Sequence, residues 1–102
     1  MKFQLVIQFR PTESVNFDQW VAIEDALIDV LGNFASVDGH DMGSGEFNIF
    51  VRTDSPIAAF QRAQLLLQRM KPEGSMNVAY RSVNDGDYIM LWPPHLPEFS
   101  IA

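Results

Sequence analysis

Apolar residues recur along this chain with two different periods, and the order of these periods constrains the fold more than any other feature. From Phe3 to Phe9 the large apolar side chains stand at every second position, which is typical of a strand buried on one face. Residues 17–31 and 56–70 instead repeat their apolar positions every three or four residues, which is the period of an amphipathic helix. The pattern therefore indicates a domain that mixes helices and strands.

Local signals mark the ends of both predicted helices. Asn16 is a suitable N-cap for the first helix, and Gly32 favours its end. The apolar face of this helix consists of Phe17, Trp20, Ile23, Leu27, Val30 and Leu31, with Val21 and Ile28 at its edge. Ser55 caps the second helix, Pro56 takes its first position, and Pro72 follows its end. The apolar face of the second helix consists of Ala59, Phe60, Ala63, Leu66, Leu67 and Met70.

Four further segments are predicted as strands, at residues 34–37, 46–52, 76–81 and 88–92. Between the first two of these lie residues 38–45, which include three glycines. That composition predicts a hairpin loop longer than the tight two-residue type.

The resulting order resembles the β-α-β-β-α-β plan of ferredoxin-like domains, an α+β two-layer sandwich. Right-handed crossovers would place both helices on one face of the sheet, with the first and third strands at its centre. An extra short strand and an extended, proline-containing arm follow this core. We therefore expect one domain over residues 1–102, with its core at about 2–92 and the arm at 93–102. The arm is expected to lie along an apolar groove, because it carries Leu96, Phe99 and Ile101.

Charge and cysteine content exclude several classes of function. Seven Lys and Arg against thirteen Asp and Glu give a net charge of −6, which disfavours nucleic acid and membrane surfaces as partners. The chain has no cysteine, so a disulfide framework, a zinc ribbon and a thiol nucleophile are excluded. Its beginning lacks the continuous apolar stretch of a secretory leader, and we expect a cytoplasmic protein. Nothing in the sequence predicts a cofactor.

The glycine-rich segment has the highest density of reactive side chains. The candidate ligand-binding or metal-binding residues are Asp38, His40, Asp41, Ser44 and Glu46. Their spacing matches no EF-hand, and clustered carboxylates would oppose an anion held by the glycine amides. A hydrolytic interpretation would use Ser44 as nucleophile, His40 as base and Asp41 to orient the imidazole, but neighbours along a loop seldom reach that geometry. We favour an ordinary hairpin and predict neither a metal site nor catalytic residues.

Two other positions are unusual for their surroundings. Glu24 falls within the apolar arc of the first helix, where it is either a proton-transfer group or a side chain whose head reaches solvent or a basic partner. Phe50 is the one aromatic residue predicted on the sheet face opposite the helices. RNA-recognition motifs of this topology have several aromatics there in a basic field, so we expect a protein contact instead.

The two helices also differ in charge. Residues 17–31 carry four acids and no base, with Asp18, Asp25 and Asp29 forming a stripe opposite the apolar face. Residues 56–71 carry three bases and no acid, and Leu65 lies among their polar positions. We predict that the acidic stripe, together with Phe50 and Leu65, contacts a partner, because charge complementarity accelerates association and adds specificity.

These features favour a small acidic, non-enzymatic protein-interaction module. It would bind another protein, a second copy of itself, or both. Its acidity suits inhibition or regulation of a basic partner, as in toxin-neutralising immunity proteins. The alternative is a sensor of a small ligand or metal, or a small dimeric α+β-barrel enzyme, with its site at residues 38–46.

Overall fold

The computed structural model describes residues 2–11, 17–43, 45–70, 74–84 and 86–94. Its elements are β1 (Phe3–Arg10), α1 (Phe17–Leu31), β2 (Ser36–Gly43), β3 (Glu46–Thr53), α2 (Pro56–Met70), β4 (Ser75–Ser82) and β5 (Ile89–Trp92). The α+β class is therefore confirmed. The Asn16 cap, Ser44, the arm beyond Pro94 and the side chain of Phe17 lie outside the described residues.

The strands form one antiparallel sheet with the order β2-β3-β1-β4-β5. β1 lies at the centre, as the order of the elements predicts, and Leu5 is paired with Val51 of β3 and Tyr80 of β4. β2 and β5 form the two edges of the sheet. Neither described helix combines the length and the apolar character needed to cross a membrane.

Both helices pack on the same face of the sheet. The buried core joins Leu5, Ile7 and Phe9 of β1 to the apolar faces of α1 and α2. Trp20 anchors α1, because its ring lies 5.0 Å from that of Phe9 and 5.4 Å from that of Phe47, measured between centroids. Burial of these large side chains supplies most of the stabilisation that holds the helix layer on the sheet.

The face opposite the helices is also covered within the single chain. Val6, Gln8 and Asn48 alternate with the core residues of their strands, yet each is at most 1% exposed. The Asn77 side-chain amide donates to Gln8 Oε1 at 3.3 Å, which partly satisfies this buried polar row. At these positions the face therefore has almost no exposed surface to offer a partner or a second sheet.

Candidate functional site

The predicted glycine-rich loop is instead mostly strand. β2 continues to Gly43 and β3 starts at Glu46, so only two residues separate the paired strands. The prediction of a longer loop was wrong, because pairing with β3 extends the strand through residues of low strand propensity. A register shift between Val37 and Gly39 interrupts the regular pairing of the two strands near the start of β2.

The extended backbone sends the candidate ligand residues in different directions. Asp41 pairs with Asn48 and Glu46 with Gly43, whereas His40 pairs with Ile49, whose side chain belongs to the helix-side core. Ser44, the candidate nucleophile, lies outside the described residues. Over the part of the chain that the structure describes, no three His, Cys, Asp or Glu side chains form a group suited to a metal ion.

Two carboxylates of this segment have a basic neighbour. The buried Glu46 accepts a hydrogen bond from the Arg10 guanidinium at 2.6 Å and another from the Asn48 amide at 3.2 Å. Asp38 lies at the exposed sheet edge with its Oδ2 3.7 Å from Arg52 Nε. These contacts give both carboxylates structural partners away from His40.

His40 instead pairs with Glu24 of α1. Its Nδ1 lies 3.0 Å from each carboxylate oxygen of Glu24, and its ring centroid lies 5.1 Å from that of Phe47. The Glu24 side chain is 13% exposed and that of His40 is 31% exposed. Glu24 was noted in the sequence as a carboxylate in an apolar arc, and His40 as a candidate ligand. The structure brings these two side chains together where α1 packs over β2. A carboxylate on Nδ1 fixes the orientation of an imidazole, the arrangement that positions histidines in many functional sites.

The predicted partner-binding residues occupy three different parts of the surface. Asp18, Asp25 and Asp29 are all exposed on α1. Leu65 of α2 is 64% exposed but lies on the other helix. Phe50 is half-buried. Its pairing with Val6 places it on the face opposite the helices. The acidic stripe is therefore the part of the predicted set that forms a continuous surface.

The fold places two further carboxylates at the edge of the molecule that carries this stripe. β2 lies beside α1 at the edge of the sheet and carries Asp38 and Asp41. The pairing of Asp41 with Asn48, and the contact of Asp38 with Arg52, direct these two carboxylates to the face opposite the helices. We call the edge formed by α1 and β2 the acidic side; its carboxylates are Asp18, Glu24, Asp25, Asp29, Asp38 and Asp41. Ile28 and Met42, exposed by 49% and 47%, provide apolar surface within it.

The helix and strands at the other edge of the sheet carry basic rather than acidic residues, although residues 52–102 as a whole sum to zero net charge. α1 and β2 together contain six acids and neither Lys nor Arg, whereas α2, β4 and β5 contain three arginines and no acid. The arginines are Arg62, Arg69 and Arg81. The net charge is therefore not spread evenly, and the acidic side has a directional field.

No protein-family model matches the chain, and no curated protein matches it significantly. The geometry and charge of the described residues therefore provide the basis for assigning a function.

Proposed function

We propose that this protein is a non-enzymatic interaction module that binds a basic partner protein through its acidic side. The supporting observation is the concentration of six carboxylates on α1 and β2, which carry neither Lys nor Arg. Neutralising a toxin or regulating an enzyme with a basic surface are roles that such a module would serve. A cytoplasmic location belongs to the same proposal, since a chain without cysteines needs no oxidising compartment.

The two kinds of surface on the acidic side would contribute differently to binding. Exposed carboxylates act over about 8 Å at physiological ionic strength, so they steer a basic partner before contact. The apolar side chains of Ile28 and Met42 would then add affinity when they leave water. The Glu24–His40 pair lies between helix and strand and holds this part of the surface in shape.

A charge-reversal experiment tests the proposal. The immobilised wild-type chain, Asp25→Lys and Asp87→Lys are each incubated with lysate, and retained proteins are quantified by mass spectrometry. Asp25 and Asp87 are both exposed, and each substitution changes the net charge from −6 to −4. We expect the wild type and Asp87→Lys to retain the same basic protein and Asp25→Lys to retain about tenfold less.

Three results would contradict this function. The first is equal loss of the retained protein in both variants, which would show that net charge alone controls capture. The second is a retained protein with an acidic surface, and the third is no retained protein at all. For a retained basic protein, calorimetry with the purified pair should give an affinity that falls as salt is raised.

A small-ligand or catalytic role is the second candidate, and the Glu24–His40 pair favours it. The imidazole is oriented by a carboxylate and keeps about a third of its side chain exposed. Thermal melts with divalent metals and a metabolite panel test this role, because a ligand of the folded state raises the melting temperature. The ligand shift should disappear in His40→Ala and persist in Asp87→Lys.

For the architecture, we propose a ferredoxin-like fold extended by one strand. The elements from β1 to β4 follow the order β-α-β-β-α-β, and β5 pairs with β4 beyond them. This fold supports many unrelated functions, so it adds no weight to either candidate.

A further inference from the structure

The sheet face opposite the helices carries a continuous line of apolar side chains across four strands. Val6 of β1 pairs with Phe50 of β3 and with Ala79 of β4, and Ala79 pairs with Met90 of β5. Paired residues of neighbouring strands point to the same face of a sheet. Leu5, next to Val6 in β1, belongs to the helix-side core, so this line faces away from the helices. We call these four residues the apolar row.

The centre of the apolar row is buried more deeply than its neighbours in the sheet explain. Val6 and Ala79 are each 0% exposed, and Gln8, which follows Val6 on the same face, is 1% exposed. Side chains stand roughly perpendicular to a sheet, so a methyl and an isopropyl group lose all contact with water only when something lies over them. Both described helices pack on the other face, so the cover is assigned to residues outside the described ranges.

Connectivity and reach select one segment as this cover. Outside the described ranges, residues 12–16 join β1 to α1 and residues 71–73 join α2 to β4, so each is anchored to a helix on the other face. Residues 95–102 instead follow β5, the strand at which the apolar row begins. Eight extended residues span about 26 Å, whereas β3 lies three strand spacings, or roughly 14 Å, from β5. This segment is therefore long enough to cross the whole row.

The chemistry of residues 95–102 matches that of the face. Their large apolar side chains are Leu96, Phe99 and Ile101. Glu98 is their one acid, and they include neither Lys nor Arg. Beside the apolar row, Gln4 pairs with Arg52 on one side and Arg81 on the other, which gives the same face a basic row. An extended segment that is mostly apolar and carries one carboxylate complements both rows.

We propose that the apolar row is the binding site for residues 95–102 of the same chain. In this arrangement the segment runs from β5 towards β3 and forms a second layer on the sheet. Because successive side chains of an extended segment point in opposite directions, Phe99 and Ile101 face the row and Ser100 faces solvent. The contact leaves the exposed face of α1 uncovered, so it does not compete with a partner at Asp18, Asp25 and Asp29.

Paramagnetic broadening in NMR spectra of the full chain tests this placement. The chain has no cysteine, so Ser100→Cys provides a single site for a nitroxide spin label. An unpaired electron broadens the resonances of nearby amides. We expect the amides of Val6, Phe50 and Ala79 to be broadened more strongly than those of α1 and α2. Broadening that is strongest on either helix, or equal over the whole chain, would overturn the proposal.

A substitution that opposes burial tests what holds the segment in place. In the spin-labelled chain, Phe99→Glu should abolish the preferential broadening of the apolar row, because a carboxylate resists transfer to an apolar surface. Leu65→Glu is the matched control: it also replaces an apolar residue by Glu, but Leu65 is 64% exposed on α2, so the broadening should persist. Amide-shift dispersion shows whether each variant is folded. Preferential broadening that persists in a folded Phe99→Glu, or is lost in a folded Leu65→Glu, would overturn the proposal.

A mixed sample separates the chain's own segment from that of a second copy. Isotope-labelled chains without the nitroxide are mixed with spin-labelled chains without the isotope. The proposal predicts no broadening of the apolar row in this mixture, and broadening there would overturn it in favour of exchange between two copies. The placement measurement leaves every apolar residue intact, so it decides the question even if Phe99→Glu does not fold. Partner capture by the acidic side is measured separately, so either proposal can fail without the other.

Discussion

Substitution of Gly74 tests whether the backbone at the start of β4 packs closely against the backbone at the end of β1. Its φ is +91°, and a Cβ at this position would overlap the carbonyl oxygen of Arg10 and lie 2.7 Å from Cα of Pro11. Positive φ costs a residue with a side chain about 1–2 kcal/mol, and displacing packed backbone adds about 1–3 kcal/mol. Gly74→Ala should therefore lower the free energy of unfolding by roughly 3 kcal/mol out of a total of about 5–15 kcal/mol.

Substitutions at two other glycines distinguish the cost of backbone strain from the cost of steric overlap. Gly86 has a φ of +106°, but a Cβ added there would meet no atom within 4 Å, so Gly86→Ala should cost roughly 1 kcal/mol from strain alone. Gly43 has neither a positive φ nor a close neighbour, and Gly43→Ala should change stability by less than about 0.5 kcal/mol. Urea unfolding followed by circular dichroism measures all three. A Gly74→Ala variant no less stable than Gly86→Ala would refute the close approach of these strands.

Three further experiments test the core and two of the ion pairs. Trp20→Ala should lower the free energy of unfolding by about 3–5 kcal/mol in the same urea assay, because it empties the space between α1 and the sheet. Arg10→Met should cost about 1–2 kcal/mol: it removes a hydrogen bond from the buried Glu46, while the half-exposed guanidinium is partly screened. A double-mutant cycle with His40→Ala and Glu24→Gln should give a coupling energy of about 0.5–1 kcal/mol, and zero coupling would contradict the pairing of these side chains.

The sequence predicted those elements whose apolar period was strong. β1 and both helices begin and end close to the expected residues, because the apolar side chains that form the helix-side core set their patterns. β2 was predicted too short, since Gly39, Asp41 and Gly43 are poor strand formers. As an edge strand it is mostly exposed, so pairing with β3 rather than apolar alternation determines its extent.

Contacts between elements were harder to predict than the elements themselves. Glu24 and His40 were each recognised as unusual, but their meeting depends on how α1 packs over β2, which no local pattern specifies. Alternation placed Gln8 and Asn48 opposite the helices, yet it carried no information that this face is covered. Asp38 and Asp41 lie at the same edge as the acidic stripe, on the other face of the sheet, only because the strand order puts β2 beside α1.

Chemical-shift mapping tests the acidic side most directly. Amide resonances of the labelled chain are followed by NMR while the basic protein retained in the capture experiment is added. Our account predicts that the largest shifts cluster on α1 and β2, around Asp25, Asp29 and Met42, and shrink as salt is raised. Shifts that cluster on α2 and β5 while α1 and β2 stay unchanged would contradict it.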